Sequence, residues 1–368
     1  MTSFTLPYWY DLHTHLRQEE LLTPIIASQL EMGCAGVLAM PNTKPPTAKV
    51  SARDGLPYQS IEEYLAQIKD AGGDGFDDII VPLYLTKDTT AAMIEEGAAS
   101  GLLRAAKYYP PHGTTGADFG YPFSNFMENG VFAAMEQHGV VLCIHGEEHH
   151  LAPEIYFDEA SNAEDIFYSK HMPALIENFP DLKIACEHVT TKTAVDFVLA
   201  AGETVAASIT PQHLLYTIGD LLQGCQYHLY CLPLLKFNKD RAALRAAAID
   251  PANRKFYAGT DSAAHTVKAT ACGCAAGCFT GGIAPQLYAQ AFEEAGVDLT
   301  SDDGQAALRR FLCENGVAFY GLTPSAKRFT LSKEPQSVAL IPVEGGAEIT
   351  PLPVGLGRSE IPWSIKLS

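Results

Sequence analysis

The feature that most constrains this 368-residue chain is a repeated alternation. Short apolar runs at residues 9–16, 35–40, 79–85, 103–108, 140–145, 183–188, 205–209 and 256–259 are separated by stretches of helical periodicity, such as 61–71, 90–100, 126–138 and 193–201. Strands this short and apolar are buried on both faces. Strand–helix alternation joins such strands in parallel, with helices covering the outside. Eight repeats predict a closed (β/α)8 barrel over roughly residues 9–320. The spacing loosens over 210–255, which predicts a long loop above the barrel mouth and a helix near 241–248. Beyond Gly321, short apolar runs with Pro and Gly predict an irregular extension with a few strands, 321–368, packed on the barrel as part of one domain.

Charge and cysteine usage narrow the functional classes. The formal net charge is −18, which argues against nucleic acid and anionic membranes as partners, since Lys and Arg hold both. An anionic small substrate would need a local positive centre to overcome that field. No apolar run approaches the ~18 residues of a membrane helix. The opening MTSFTLPYWYDLH has no basic stretch ahead of an apolar one, so the expected location is cytoplasmic. Nine scattered cysteines, an odd number, point to reduced thiols and not to a disulfide framework.

The chemistry-bearing residues sit where the predicted strands end. The first run closes Asp11-Leu12-His13-Thr14-His15-Leu16-Arg17, and alternate side chains on a strand share a face, so His13 and His15 can reach one metal ion. The fifth run ends in His145-Gly146-Glu147, the sixth in Glu187-His188, and the eighth in Gly259-Thr260-Asp261. Each histidine taken singly could be an ordinary polar side chain. Gathered at the C-terminal rim of one barrel they form a metal site. The fourth run ends in Lys107. An isolated rim lysine would be unremarked, but a desolvated one near cations gives up its proton readily. The neutral amine can take up CO2 to form a carbamate able to bridge two metals. Two divalent cations would then outweigh Asp261, the carbamate and a bridging hydroxide by one positive charge, enough to attract an anion.

Motifs along most of the chain resemble the amidohydrolase superfamily and, within it, the short bacterial type of dihydroorotase: HTHLR at 13–17, MPN at 40–42, AAKYYP at 105–110, HGE at 145–147, EHVTTK at 187–192, ITPQHL at 209–214, HLYCLPLLK at 228–236, GTDSAAH at 259–265 and CGCAAGCF at 272–279. The resemblance implies a zinc-dependent cyclic amidohydrolase, a cytoplasmic homodimer, with two Zn2+ per subunit. His13, His15, Lys107 and Asp261 would hold one ion, and Lys107, His145 and His188 the other, with Lys107 as N6-carboxylysine. Arg17, Asn42 and His265 would bind the substrate α-carboxylate, and backbone groups of Leu232 and Ala275 the dihydropyrimidine ring. Thr114 and Thr115 would belong to a closing loop. The implied reaction is the reversible cyclisation of N-carbamoyl-L-aspartate to (S)-dihydroorotate in pyrimidine synthesis, with Asp261 as general acid/base. Thr14 and Ala264 depart from the usual family residues, and the 272–278 loop is one residue longer than the pattern. Its cysteines could alternatively hold a structural zinc. Two rivals are a hydantoinase or allantoinase, which would lack the carboxylate clamp, and a metal-free scaffold, which would show gaps among the ligands.

Overall fold

The computed structural model describes residues 2–113 and 116–368. Its centre is a parallel α/β barrel. We number the barrel strands β1 (Trp9–His15), β2 (Cys34–Ala39), β3 (Asp78–Ile80), β4 (Ala105–Tyr108), β5 (Val141–Ile144), β6 (Ile184–Cys186), β7 (Val205–Ile209) and β8 (Phe256–Ala258). Ladders run from β1 through β2 to β3, and from β4 in sequence to β8. Between the two ladders the third strand breaks at Val81-Pro82 and resumes as Leu83–Tyr84, which pairs with β4. Pro82 has no N–H to give a ladder, so the break falls there. At the other seam, Ser262–Ala263 follows β8 and pairs parallel with the end of β1.

The predicted runs fall on these strands, and the predicted helices recur as Ile61–Asp70, Ala91–Ala99 and Lys192–Ala200. Ser60 and Glu63 cap the first of these reciprocally, a signal already legible as S-x-x-E. The single helix expected over 126–138 is instead two, Phe123–Glu128 and Val131–His138, because Gly130 between them takes a left-handed φ of 84°. The 210–255 stretch holds two short helices and the helix Asn238–Ile249. The sequence reading missed a strand before the barrel. Ser3–Pro7 pairs antiparallel with Arg328–Ser332, which in turn pairs with Ser364–Leu367.

Two apolar layers hold the barrel. Outside, strand side chains such as Val37, Leu83, Leu142 and Ile184 pack on the helices. Inside, Tyr10, Leu12, Ala105, Val141, Cys143, Ala185, Ala206 and Tyr257 form a separate buried cluster with Val317. Side chains two residues further along a strand share its inner face. The layer above Ala105, Cys143, Ala185, Ala206 and Tyr257 is therefore Lys107, His145, Glu187, Ser208 and Gly259. The inner face of the barrel thus turns from apolar to chemical within one pleat. Gly259 is needed there: a Cβ would sit 3.0 Å from His13 Cβ and 2.8 Å from Ser208 Cβ.

Candidate active site

Four imidazoles form an arc across the C-terminal mouth. Ring centroids are 5.7 Å apart for His15 and His13, 4.8 Å for His13 and His188, and 4.8 Å for His188 and His145. Asp261 closes one end, with Oδ1 2.9 Å from His15 Nε2 and 3.4 Å from His13 Nε2. Among the described residues, His13, His15 and Asp261 are the one group of three ligand-type side chains whose donor atoms lie within 4.8 Å of one another.

The strand pleat alone does not bring His188 and Asp261 here. Pleat parity sends Glu187 inward, and His188 follows only because its backbone is left-handed, φ 40°. Asp261 has a φ of 49°, and its N–H donates to the His13 carbonyl at 2.8 Å. Such backbone strain in non-glycine residues persists where surrounding bonds over-determine it. Asp11 supplies that determination: it accepts from the Thr260 N–H at 2.9 Å, the Thr260 hydroxyl at 2.7 Å and Gln29 Nε2 at 3.0 Å.

Partners behind the imidazoles fix their tautomers. His13 Nδ1 donates to Glu187 Oε2 at 2.7 Å, and Glu187 also accepts from the Ser208 hydroxyl at 2.6 Å. His15 Nδ1 donates to Asn42 Oδ1 at 2.8 Å, and His145 Nε2 to Glu147 Oε2 at 2.9 Å. One ring nitrogen of each is thereby left as a lone-pair donor, the arrangement of metal-binding histidines. Burial lowers the His15 pKa to about 4 and lowers those of His145 and His188 too, which keeps these rings neutral. Burial would lower His13 as well, but the Glu187 charge together with the contacts to Asp261 and Glu187 outweighs it and raises its pKa. Burial pushes the Asp261 carboxyl up, yet the adjoining His13 and His15 rings hold it well below its ordinary value.

Lys107 lies in the same layer, fully buried, its pKa lowered by desolvation. Among the described residues its Nζ has no hydrogen-bond partner, and neither does His188 Nδ1. Native folds rarely bury such groups unpaired without a reason. Beside them opens a pocket lined by the four histidines, Asp261, Arg17, Asn42, Tyr109, Leu232, Ala263, Ala276 and Gly277.

Comparison with known proteins decides the family. The chain is 39% identical over 359 residues to the dihydroorotase of Shewanella amazonensis, covering 96% of this chain and 97% of the relative. It is 37% identical over 360 residues to that of Neisseria meningitidis, covering 97% of each. The chain belongs to the dihydroorotase family. No protein-family profile matches it. Among solved structures, yeast dihydroorotase superposes with a TM-score of 0.84 at 26% identity, covering 100% of this chain and 99% of that one. The Campylobacter jejuni dihydroorotase gives 0.81 at 25%, covering 100% and 98%. An Arthrobacter aurescens L-hydantoinase shares the fold at 0.76 and 15% identity, covering 99% and 84%. The chain is thus a cyclic amidohydrolase of the dihydroorotase family on an α/β barrel.

The structure brings together most of the residues expected from sequence. Arg17 Nε donates to the Ala264 carbonyl at 3.1 Å, and a guanidinium nitrogen lies 3.3 Å from His265 Nε2. His265 Nε2 sits closer, 2.8 Å, to the Ala276 carbonyl, which makes it the protonated nitrogen. Ala275 itself is not a lining residue; Ala276 and Gly277 are. Thr114 and Thr115 lie outside the described residues, and Gly116 after them packs against Asn42. In the cysteine run, Ala269–Thr270 and Gly273–Cys274 form a small hairpin with Cys272 exposed and Cys278 buried. Sequence reasoning gave no role to Glu187, Glu147 or Asp11. The available signal was a carboxylate one or two residues from His13, His145 and His188. Among the described residues no helix is long and apolar enough to cross a membrane.

Proposed function

We propose that this chain catalyses the reversible cyclisation of N-carbamoyl-L-aspartate to (S)-dihydroorotate, as a cytoplasmic homodimer with two Zn2+ per subunit. The residues fit such a pair: His13, His15 and Asp261 for one ion, His145 and His188 for the other, and Lys107 as a carbamate between them. The orphaned Lys107 Nζ is what supports the carbamate, since CO2 addition turns a buried amine without a partner into two ligand oxygens. Bound there, the ions would polarise the cyclic amide carbonyl and lower the pKa of water. Asp261, ionised beside His13 and His15, takes a proton at Oδ and returns it to the leaving nitrogen in ring opening. Arg17, with Asn42 and His265 beside it, orients the α-carboxylate through its planar fork. Leu232 and Ala276 offer backbone groups to the ring.

The observation that carries this reading is the guanidinium of Arg17 on the wall of the cavity that holds the His and Asp cluster. It selects an acidic cyclic amide over a neutral hydantoin or allantoin. The yeast relative was solved with 5-fluoroorotic acid, an acidic pyrimidine. Metal content of the purified protein, measured with hydrolysis of dihydroorotate, hydantoin and allantoin side by side, tests the proposal. We expect about two zinc ions per chain and turnover of dihydroorotate alone; turnover of hydantoin or allantoin without dihydroorotate would defeat it. Metal-free protein lacking every activity would instead favour a scaffold.

A further inference from the structure

Lys268 lies outside the His and Asp cluster and does not line its cavity. It is 8% exposed, on the segment between His265 and the Ala269–Thr270 strand. Its Nζ donates to three backbone carbonyls: Tyr230 at 2.7 Å, Ala275 at 2.7 Å, and Gly277. Burial lowers its pKa, but three carbonyl acceptors call for the three N–H groups of the ammonium form. The acceptors come from the two segments that wall the cavity, one carrying Leu232 and the other Ala276 and Gly277. Gly277 N–H also donates to the Tyr230 carbonyl at 2.9 Å, so the two segments are sewn together around this one nitrogen.

The consequence follows from peptide geometry. In a trans peptide the carbonyl and the next N–H point in opposite directions. The Ala275 carbonyl is turned onto Lys268, so the Ala276 N–H is turned away from it. That N–H has no hydrogen-bond partner among the described residues, although its neighbours Ala275 N–H and Gly277 N–H both have one. Gly277 allows the close approach: at φ 138°, a Cβ there would meet Ala263 Cβ at 2.7 Å and His265 Nε2 at 3.0 Å.

We infer that Lys268 is a positioning residue for ring recognition: by gathering the Tyr230, Ala275 and Gly277 carbonyls, it presents the Ala276 N–H to the cavity as a donor for a ring carbonyl oxygen of the substrate. This rests on the proposed function for the identity of the ring. The ammonium also withdraws electron density from the Ala275–Ala276 peptide, which strengthens that donor. The sequence around Lys268 gives no hint of this, because the three acceptors are main-chain atoms.

The test uses the metal-loaded full chain with Lys268→Met. Orotate carries the ring carbonyls; succinate offers a carboxylate to Arg17 and no ring. Orotate affinity is expected to fall on the order of tenfold, the scale of one misaligned hydrogen bond, with succinate affinity changed less than about twofold. In turnover, KM for dihydroorotate should rise by a similar factor, kcat should fall less, and zinc content should match wild type. Unchanged orotate affinity would overturn the inference. Equal loss for orotate and succinate would overturn it as well, since that marks general collapse of the wall. Should the Met variant fail to fold, Lys268→Arg keeps the charge but cannot converge three carbonyls on one nitrogen, and is expected to weaken orotate selectively and less. Wild-type protein that binds orotate but does not turn over dihydroorotate would remove the proposed reaction while leaving the Lys268 comparison readable.

Discussion

Lys107→Met separates what the fold wants from what the chemistry wants. Lys107 is fully buried and its Nζ makes no hydrogen bond among the described residues, so in metal-free protein the amine is a liability. Leaving such a group unsatisfied costs about 1–3 kcal/mol, and Met fills nearly the same volume without it. At this chain length, 1 kcal/mol shifts Tm by about 1.3 °C, so chelator-treated Lys107→Met should melt about 1–4 °C above chelator-treated wild type. The sign with pH follows from the lowered Lys107 pKa. A lysine that folding depresses carries its full penalty below the folded pKa, and loses it as pH rises toward the unfolded value. The gap between variant and wild type should therefore narrow as the medium becomes alkaline. With metal present the order reverses: the variant should retain less zinc, and hydrolysis of dihydroorotate should be abolished. Differential scanning calorimetry of chelated and zinc-loaded samples, with metal analysis, reads both halves. A metal-free variant that melts below wild type would refute the orphan-amine argument. A variant with normal zinc and turnover would refute the role given to Lys107.

Other expectations follow from the same geometry. Arg17→Gln removes a charge-assisted contact of about 1.5–3 kcal/mol, so kcat/KM for dihydroorotate should drop roughly 10- to 150-fold with zinc content unchanged; a variant as efficient as wild type would remove the carboxylate clamp. Glu187→Gln keeps the shape but not the charge that His13 Nδ1 donates to, and zinc affinity in competition with a chelator should fall about 10- to 100-fold. Ring closure consumes one carboxylate and takes up a proton, so the equilibrium should move toward the open form about tenfold per pH unit, with closure favoured in acid and opening in base. Identical pH profiles for the two directions would contradict proton transfer through a shared Asp261.

The sequence by itself determined the repeating architecture and the residues at the strand ends. Both are local properties: apolar runs of strand length, helical periods between them, and a histidine, lysine or aspartate where each run stops. Contacts between distant segments decided the rest. Pleat parity, with the left-handed backbone at residue 188, put Glu187 behind His13 and swung His188 onto the rim. The sequence spacing alone made those two residues interchangeable. The clamp of Asp11 on Thr260 joins positions 249 residues apart, and no local pattern announces it. Ser3–Pro7 became a strand only because Arg328–Ser332 returned to pair with it, and an edge strand gains its hydrogen bonds from its neighbour. The shift of the cavity wall from Ala275 to Ala276, and the lysine that sets it, depend on where main-chain carbonyls point. Side-chain identity does not encode that direction; it is fixed only when the two loops meet.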